Sequence, residues 1–245
     1  MTTTLSRLPR IGVLGGMGPM ATADFLAKLA RATPVAHDQD HFPVTVESTP
    51  QIPDRVAALE GHGEDPLPAL MAVGRRLLNA GCELIAMPCN TAHFWHGALS
   101  GQLGVPFLHI ADAVAERLGG ARRVGLMATT ATLRSGLYPQ RIGGTLEWLF
   151  PAEVEMLQQV MPGVAAVKRD DLRGAGELLR PVARRLASCG IDTLVLGCTE
   201  IPLALTQADV DVPMIDATMA LAEATVAAAT RLAHCAAPGT SRQAA

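Results

Sequence analysis

Aromatic side chains are scarce. The 245 residues hold five Phe, two Trp and one Tyr, too few for the stacking platforms of a nucleic-acid binder. Positive charge is not in excess either. Lys and Arg number 20 against 23 Asp and Glu, for a net charge of −3, so the basic footprint of a nucleic-acid partner is missing. No apolar run reaches the ~20 residues that span a bilayer, because Arg76, Glu116, Glu223 and Arg231 interrupt the longest ones. Met1-Thr2-Thr3-Thr4-Leu5 is not the charged opening of an export signal, and five Cys is an odd number for a disulfide framework. The expectation is a cytoplasmic protein with reduced thiols and neither a membrane nor a nucleic-acid partner.

What is present is a repeated order of apolar strand, turn and helix. With 49% hydrophobic residues, the chain can fill one large or two small α/β domains. Short buried strands are expected at Arg10–Gly16, Val44–Glu47, Leu84–Met87, Phe107–Ile110, Val124–Met127, Leu194–Leu196 and Met214–Asp216. Helical stretches separate them, including Met17–Ala32, Leu67–Ala80 and Gly176–Ser188, which argues for βαβ units and parallel sheets. The chain also repeats itself. Arg10-Ile11-Gly12-Val13 resembles Arg123-Val124-Gly125-Leu126, Gly81 to Cys89 resembles Gly190 to Cys198, and Val105-Pro106-Phe107 resembles Val212-Pro213-Met214. Two equivalent open-sheet α/β domains follow, their ligand-binding strand ends facing across one cleft. Residues 1 to about 8 and about 236 to 245 have little to bury, so disordered ends are expected there.

Cys89 and Cys198 occupy matched places in this repeat, each between the end of a strand and an expected helix start. A helix N-terminus favours negative charge, so a thiol pKa below the usual ~8.5 is expected at both. Two thiols facing each other across a cleft suit removal of a proton from one face of a carbon acid and its replacement on the other. Neither a metal nor pyridoxal is needed for that chemistry. Gly15-Gly16-Met17-Gly18-Pro19 lacks the spacing of a dinucleotide turn or a P-loop, and fits either amides approaching a small carboxylate or a purely structural turn. In Ser48 to Arg55, Pro50 and Pro53 hold Gln51 and Arg55 in a loop, where Arg55 either binds a carboxylate or pairs with the adjacent Asp54. Lys168, among charged neighbours, reads as a solvated surface cation. His93 and His96 are three residues apart but have no third ligand at recognisable spacing, so no metal site is expected.

Met87-Pro88-Cys89-Asn90-Thr91-Ala92-His93 and Leu196-Gly197-Cys198-Thr199-Glu200-Ile201 together resemble the pyridoxal-independent aspartate/glutamate racemase family. Ile11 to Pro19 and Pro50 to Arg55 also look like that family, and more like its aspartate racemase branch. The resemblance runs from about residue 10 to about 230. It implies two pseudo-symmetric α/β domains with the active site between them, residues 1–112 with 216–245 forming one and 113–215 the other. It implies further that Cys89 and Cys198 are the acid–base pair. Asn90, Thr91 and Thr199 would hold the α-amino and α-carboxylate groups, Met17 and Gln51 would line the pocket, and Arg55 and Lys168 would bind the side-chain carboxylate. The implied activity is interconversion of L- and D-aspartate, with glutamate as an alternative, by a homodimer without a cofactor. Some relatives carry Thr in place of Cys89 and prefer L enantiomers, so both thiols together argue for reaction in both directions.

Maleate isomerase, hydantoin racemase and arylmalonate decarboxylase reuse one or both cysteines, and fold alone does not separate them. A non-catalytic carboxylate-binding protein is a further alternative, distinguished because only an enzyme needs both thiols. A nucleotide-dependent oxidoreductase is disfavoured by the missing glycine fingerprint.

Overall fold

A computed structural model describes residues 8–236. The two ends expected to be disordered lie almost entirely outside the described residues. Among the described residues seven strands form two parallel sheets. In the first, β1 (Ile11–Gly15) is flanked by β2 (Val44–Ser48) and β3 (Leu84–Ala86), giving the order β2-β1-β3. In the second, β4 (Arg123–Ala128) lies between β5 (Glu147–Leu149) and β6 (Thr193–Gly197), and β7 (Met214–Asp216) follows, giving β5-β4-β6-β7. Every pairing is parallel, as the alternation of strands and helices predicts.

The internal repeat is visible in the register. Ile11 pairs with Leu84 in the first sheet, and Val124 pairs with Thr193 in the second, so β1-β3 corresponds to β4-β6. The fourth strand differs between halves. Leu194 N–H donates to the Pro213 carbonyl at 2.9 Å and β7 continues from there. The equivalent bond, from Ile85 N–H to the Pro106 carbonyl, is also 2.9 Å. Beyond it only a single bridge forms between Ile85 and Phe107, and the helix Ile110–Ala115 begins at once. The strand expected at Phe107–Ile110 is therefore absent, because His109 accepts from Ala111 N–H and caps that helix. The three-residue edge strand β5, which no strong pattern announces, is part-exposed.

The central strands β1, β4 and β6 are apolar and buried on both faces, apart from Arg123 at the rim and the hydrogen-bonded Thr193, as helix-covered parallel strands are. Their side chains meet in one continuous core: Ile11 and Val13 of β1 share a cluster with Val124 and Leu126 of β4 and Val195 of β6. The last helix, Ala217–Ala236, supplies Leu221, Ala222 and Ala229 to this cluster and packs on the helices Pro19–Ala32 and Ile110–Ala115. Buried Lys28 of the first of these bridges Asp24 and Asp216, the latter at the end of β7. The chain thus returns to its beginning, and the C-terminal ends of β1, β3, β4 and β6 face a common cavity.

Candidate active site

The cavity measures about 30 Å³ and is lined by residues of both halves, about the space one or two waters fill. Met17, Asp54, Arg55, Val56, Cys89, Asn90 and Thr91 come from the first half; Thr129, Val164, Lys168, Cys198, Thr199 and Glu200 come from the second. Eight of the nine candidate residues are therefore together. The exception is Gln51, which is exposed and does not line the cavity; in its loop it is Ile52 that turns inward, 3% exposed.

The glycine turn serves structure rather than an anion. Gly16 has φ +95°, and a Cβ there would stand 2.3 Å from the Thr49 backbone nitrogen, so only glycine fits. Its N–H donates to Thr22 Oγ1 at 2.8 Å and is not free for a carboxylate. Of this turn, Met17 alone reaches the cavity.

Arg55 resolves in the opposite sense. Asp54 does not pair with it: the Asp54 carboxylate accepts from Ala57 N–H at 2.8 Å and caps the helix Arg55–Leu59. Arg55 Nη1 donates to the carbonyls of Ile52 and Pro53, both at 3.0 Å. Its Nε is buried without a partner, and Arg55 forms no ion pair among the described residues. The cation is held by its own loop and its charge is left uncompensated beside the cavity. Lys168 ends the helix Met161–Lys168 and likewise has no ion pair among the described residues, so its surface reading gives way to a position on the cavity wall.

Both thiols are buried, Cys89 at 5% and Cys198 at 4% exposure. Each follows its strand as expected, but the lowered pKa expected for them is not found. Burial pushes the Cys89 thiol above its ordinary value, with Arg55 the strongest influence opposing it. Burial pushes Cys198 well above, and Glu200 adds to the effect. The helical turns that follow do not counter desolvation. Ile201–Ala204 has only four residues, and Thr91–Trp95 is a 3₁₀ turn that leads into the helix His96–Leu103; at both thiols desolvation outweighs whatever the helix end offers.

Sequence reasoning missed Glu200 as a participant, although it stands two residues from Cys198. Its Oε2 accepts from Cys198 Sγ at 3.1 Å and from Thr199 Oγ1 at 3.0 Å, so the Thr199 hydroxyl is committed to Glu200. Thr91 is engaged as well. Its hydroxyl lies 3.0 Å from that of Thr129 and 2.9 Å from that of Thr132, while Thr129 and Thr132 are 2.9 Å apart, a closed ring of three hydroxyls joining the halves. An acidic residue beside a motif cysteine was the available signal for Glu200. The threonine ring had none, since Thr91 is 38 and 41 residues from its two partners.

The histidines stack beside the site rather than in it. His93 and His96 have ring centroids 5.8 Å apart, and His109 closes on them at 4.9 and 4.7 Å. His93 Nδ1 lies 2.9 Å from the Cys89 carbonyl, supporting the turn that carries the thiol. Burial lowers the pKa of all three, that of His109 to about 4. Among the described residues no group of His, Cys, Asp and Glu is arranged to hold a metal, and no helix is long and apolar enough to cross a membrane.

Comparison with known proteins identifies the family. Residues 14–225 match the model of the Asp/Glu/hydantoin racemase family. The chain belongs to that family. It is therefore an isomerase of the racemase type. Among solved structures it is similar to the aspartate racemase of Picrophilus torridus, with a TM-score of 0.82 and 33% identity over 91% of this chain and 94% of that one. Among curated proteins it is 26% identical to the broad specificity amino-acid racemase RacX of Bacillus subtilis, over 88% of this chain and 96% of that protein. It is also 35% identical to the glutamate racemase of Methylococcus capsulatus, over 58% of this chain and 54% of that enzyme.

Proposed function

We propose that this racemase interconverts L- and D-aspartate, with glutamate the nearest alternative, by proton transfer between Cys89 and Cys198 without a cofactor. The observation that carries the reading is the convergence of two thiols and two unpaired cations, Arg55 and Lys168, on one cavity. Arg55 and Lys168 bind the side-chain carboxylate, and the α-carboxylate meets Asn90. One sulfur, as thiolate, removes the α-proton. The C–H electron pair delocalises into the adjacent carboxylate, and the thiol on the opposite face delivers its own proton to carbon. The two sulfurs end with their protonation states exchanged, so the pair serves the reverse reaction in the same way.

The charges around the thiols suggest which begins ionised. Arg55 favours a thiolate on Cys89 and Glu200 opposes one on Cys198, so Cys89 is the more readily ionised of the two and begins the cycle as base. Aspartate is placed ahead of glutamate on the likeness to the Picrophilus torridus aspartate racemase, while the likeness to RacX makes other amino acids worth testing. One methylene is worth only ~1–3 kcal/mol of discrimination. The reading carries three further proposals: a domain division at 1–112 with 216–245 against 113–215, a homodimer, and a reducing cytoplasm in which both thiols stay free.

The test is proton NMR of L-aspartate and of L-glutamate in D₂O with reductant and no added cofactor, followed by chiral chromatography. Loss of the α-proton signal with appearance of the D form is expected, faster for aspartate. If neither amino acid exchanges, the proposal fails and maleate and hydantoins become the substrates to examine.

A further inference from the structure

Tyr138, the chain's one tyrosine, touches the neighbours of both catalytic cysteines. It lies on the helix Leu137–Ile142 of the second half and is fully buried. With Leu126, its ring packs over Gly197, where a Cβ would stand 2.7 Å from Leu126 Cδ1 and 3.1 Å from Tyr138 Cε2; Gly197 directly precedes Cys198. Its hydroxyl crosses to the first half and donates to Asn90 Oδ1; Asn90 directly follows Cys89.

That bond decides which way the Asn90 amide faces. Among the described residues Asn90 Oδ1 is the only hydrogen-bond partner of the phenol. If the amide turned over, its NH₂ group would donate to the phenol oxygen and the buried hydroxyl proton would have no acceptor, an arrangement that folded proteins avoid. Burial pushes the phenol well above its ordinary pKa, so it remains a donor. The other end of the amide, Nδ2, is buried without a partner, and Asn90 lines the cavity at 3% exposure. A buried, unsatisfied NH₂ group is costly unless a ligand satisfies it.

We infer that Tyr138 is a positioning residue, fixing the Asn90 amide so that its NH₂ group is offered to a carboxylate of the substrate. The inference rests on the racemase reading and assigns to Tyr138 the orientation of one carboxylate-binding donor of this site. An amide oxygen facing the cavity would repel the carboxylate that the amide nitrogen attracts.

The experiment is a double-mutant cycle on the full-length protein, read by racemisation kinetics and by calorimetric binding of L-aspartate. Tyr138→Phe keeps the ring and removes the donor. It is expected to raise KM and weaken binding about ten-fold, within the range for a hydrogen bond to a charged group, while kcat changes less than about three-fold. Asn90→Ala should weaken binding at least as much, and adding Tyr138→Phe to it should cost nothing further. Asn90→Asp keeps the acceptor for Tyr138 but exchanges the NH₂ group for oxygen, and should weaken binding about a hundred-fold or more. The inference is overturned if Tyr138→Phe binds and turns over as the unmodified protein does, if the two losses add, or if Asn90→Asp is tolerated. If Tyr138→Phe proves too unstable to assay, Asn90→Asp decides alone. Failure of the unmodified protein to racemise any acidic amino acid would instead sink the racemase reading and this inference with it.

Discussion

Cys89 follows β3 and Cys198 follows β6, strands that occupy the same place in two related sheets, yet their surroundings are opposite in charge. Cys89 faces the cation of Arg55, pinned by the carbonyls of Ile52 and Pro53. Cys198 donates to the carboxylate of Glu200. Burial raises both pKa values, but the second is raised further because a neighbouring anion repels a thiolate. A repeated backbone has therefore produced matched positions for two sulfurs, and unmatched neighbours leave Cys89 the easier of the two to ionise. In the two-thiol reaction proposed above, duplication would supply the two faces and divergence would set which sulfur starts the cycle.

The comparison breaks most severely when a sulfur is removed. Cys89→Ala and Cys198→Ala should each lower racemisation about 10²–10⁴-fold, the usual contribution of an acid–base group, measured by chiral chromatography. Each variant should retain slow washout of the α-proton into D₂O for one enantiomer only, and for opposite enantiomers. Identical behaviour of the two variants with both enantiomers would mean that the sulfurs do not work on opposite faces.

Arg55→Gln removes the cation on the Cys89 side and should lower kcat/KM about ten- to a hundred-fold, the weight of a charge-assisted hydrogen bond. A loss confined to KM would show that Arg55 binds substrate without tuning the thiol. Smaller still is Glu200→Gln. With both thiols raised, activity in the unmodified protein should climb with pH on the alkaline side, as the thiolate becomes populated. Removing the carboxylate charge beside Cys198 should move that climb to lower pH, whereas Arg55→Gln should move it higher. Shifts in the same direction would contradict the charge assignment.

The smallest effect concerns stability and again sets one half against the other. His93, His96 and His109 all belong to the Cys89 half and have folded-state pKa values below the ordinary ~6.5. The unfolded chain therefore binds more protons between pH ~6.5 and the about 4 of His109, and stability must fall as pH drops through that window. Hydrogen exchange should quicken in residues 89–109 before it quickens in β6. Simultaneous loosening of both halves would show that the histidines do not govern the acid response.

How much of this was legible in the sequence depended on whether the controlling feature was local. Strand–helix alternation and the repeat are local patterns, and they placed β1, β2, β3, β4, β6 and β7 to within about two residues. The repeated Val-Pro pairs even matched positions that make equivalent hydrogen bonds to Ile85 and Leu194. What followed was not legible: Phe107 makes one bridge and no strand because of a cap formed by His109, which competes with sheet pairing. At the site, cysteines at strand ends were readable because motif and position coincide. The direction of their pKa shifts was not, since it depends on burial by chain segments distant in sequence. Gln51 failed for a related reason. Two prolines fix a loop but do not say which of its side chains faces inward, and Ile52 is the one that does. Thr91 meets Thr129 and Thr132 only when the halves come together, whereas Glu200 acts on its sequence neighbours Cys198 and Thr199, and only the fold shows that its carboxylate turns back to them.

The cavity between the cysteines has room for about one or two waters, and any amino acid is several times larger. If the walls part for a substrate to arrive and again for the product to go, two mechanical events bracket every chemical one. If these are slower than proton transfer, the clock of the enzyme is its hinge, and turnover will respond to solvent viscosity more than to isotopic substitution at the α-carbon.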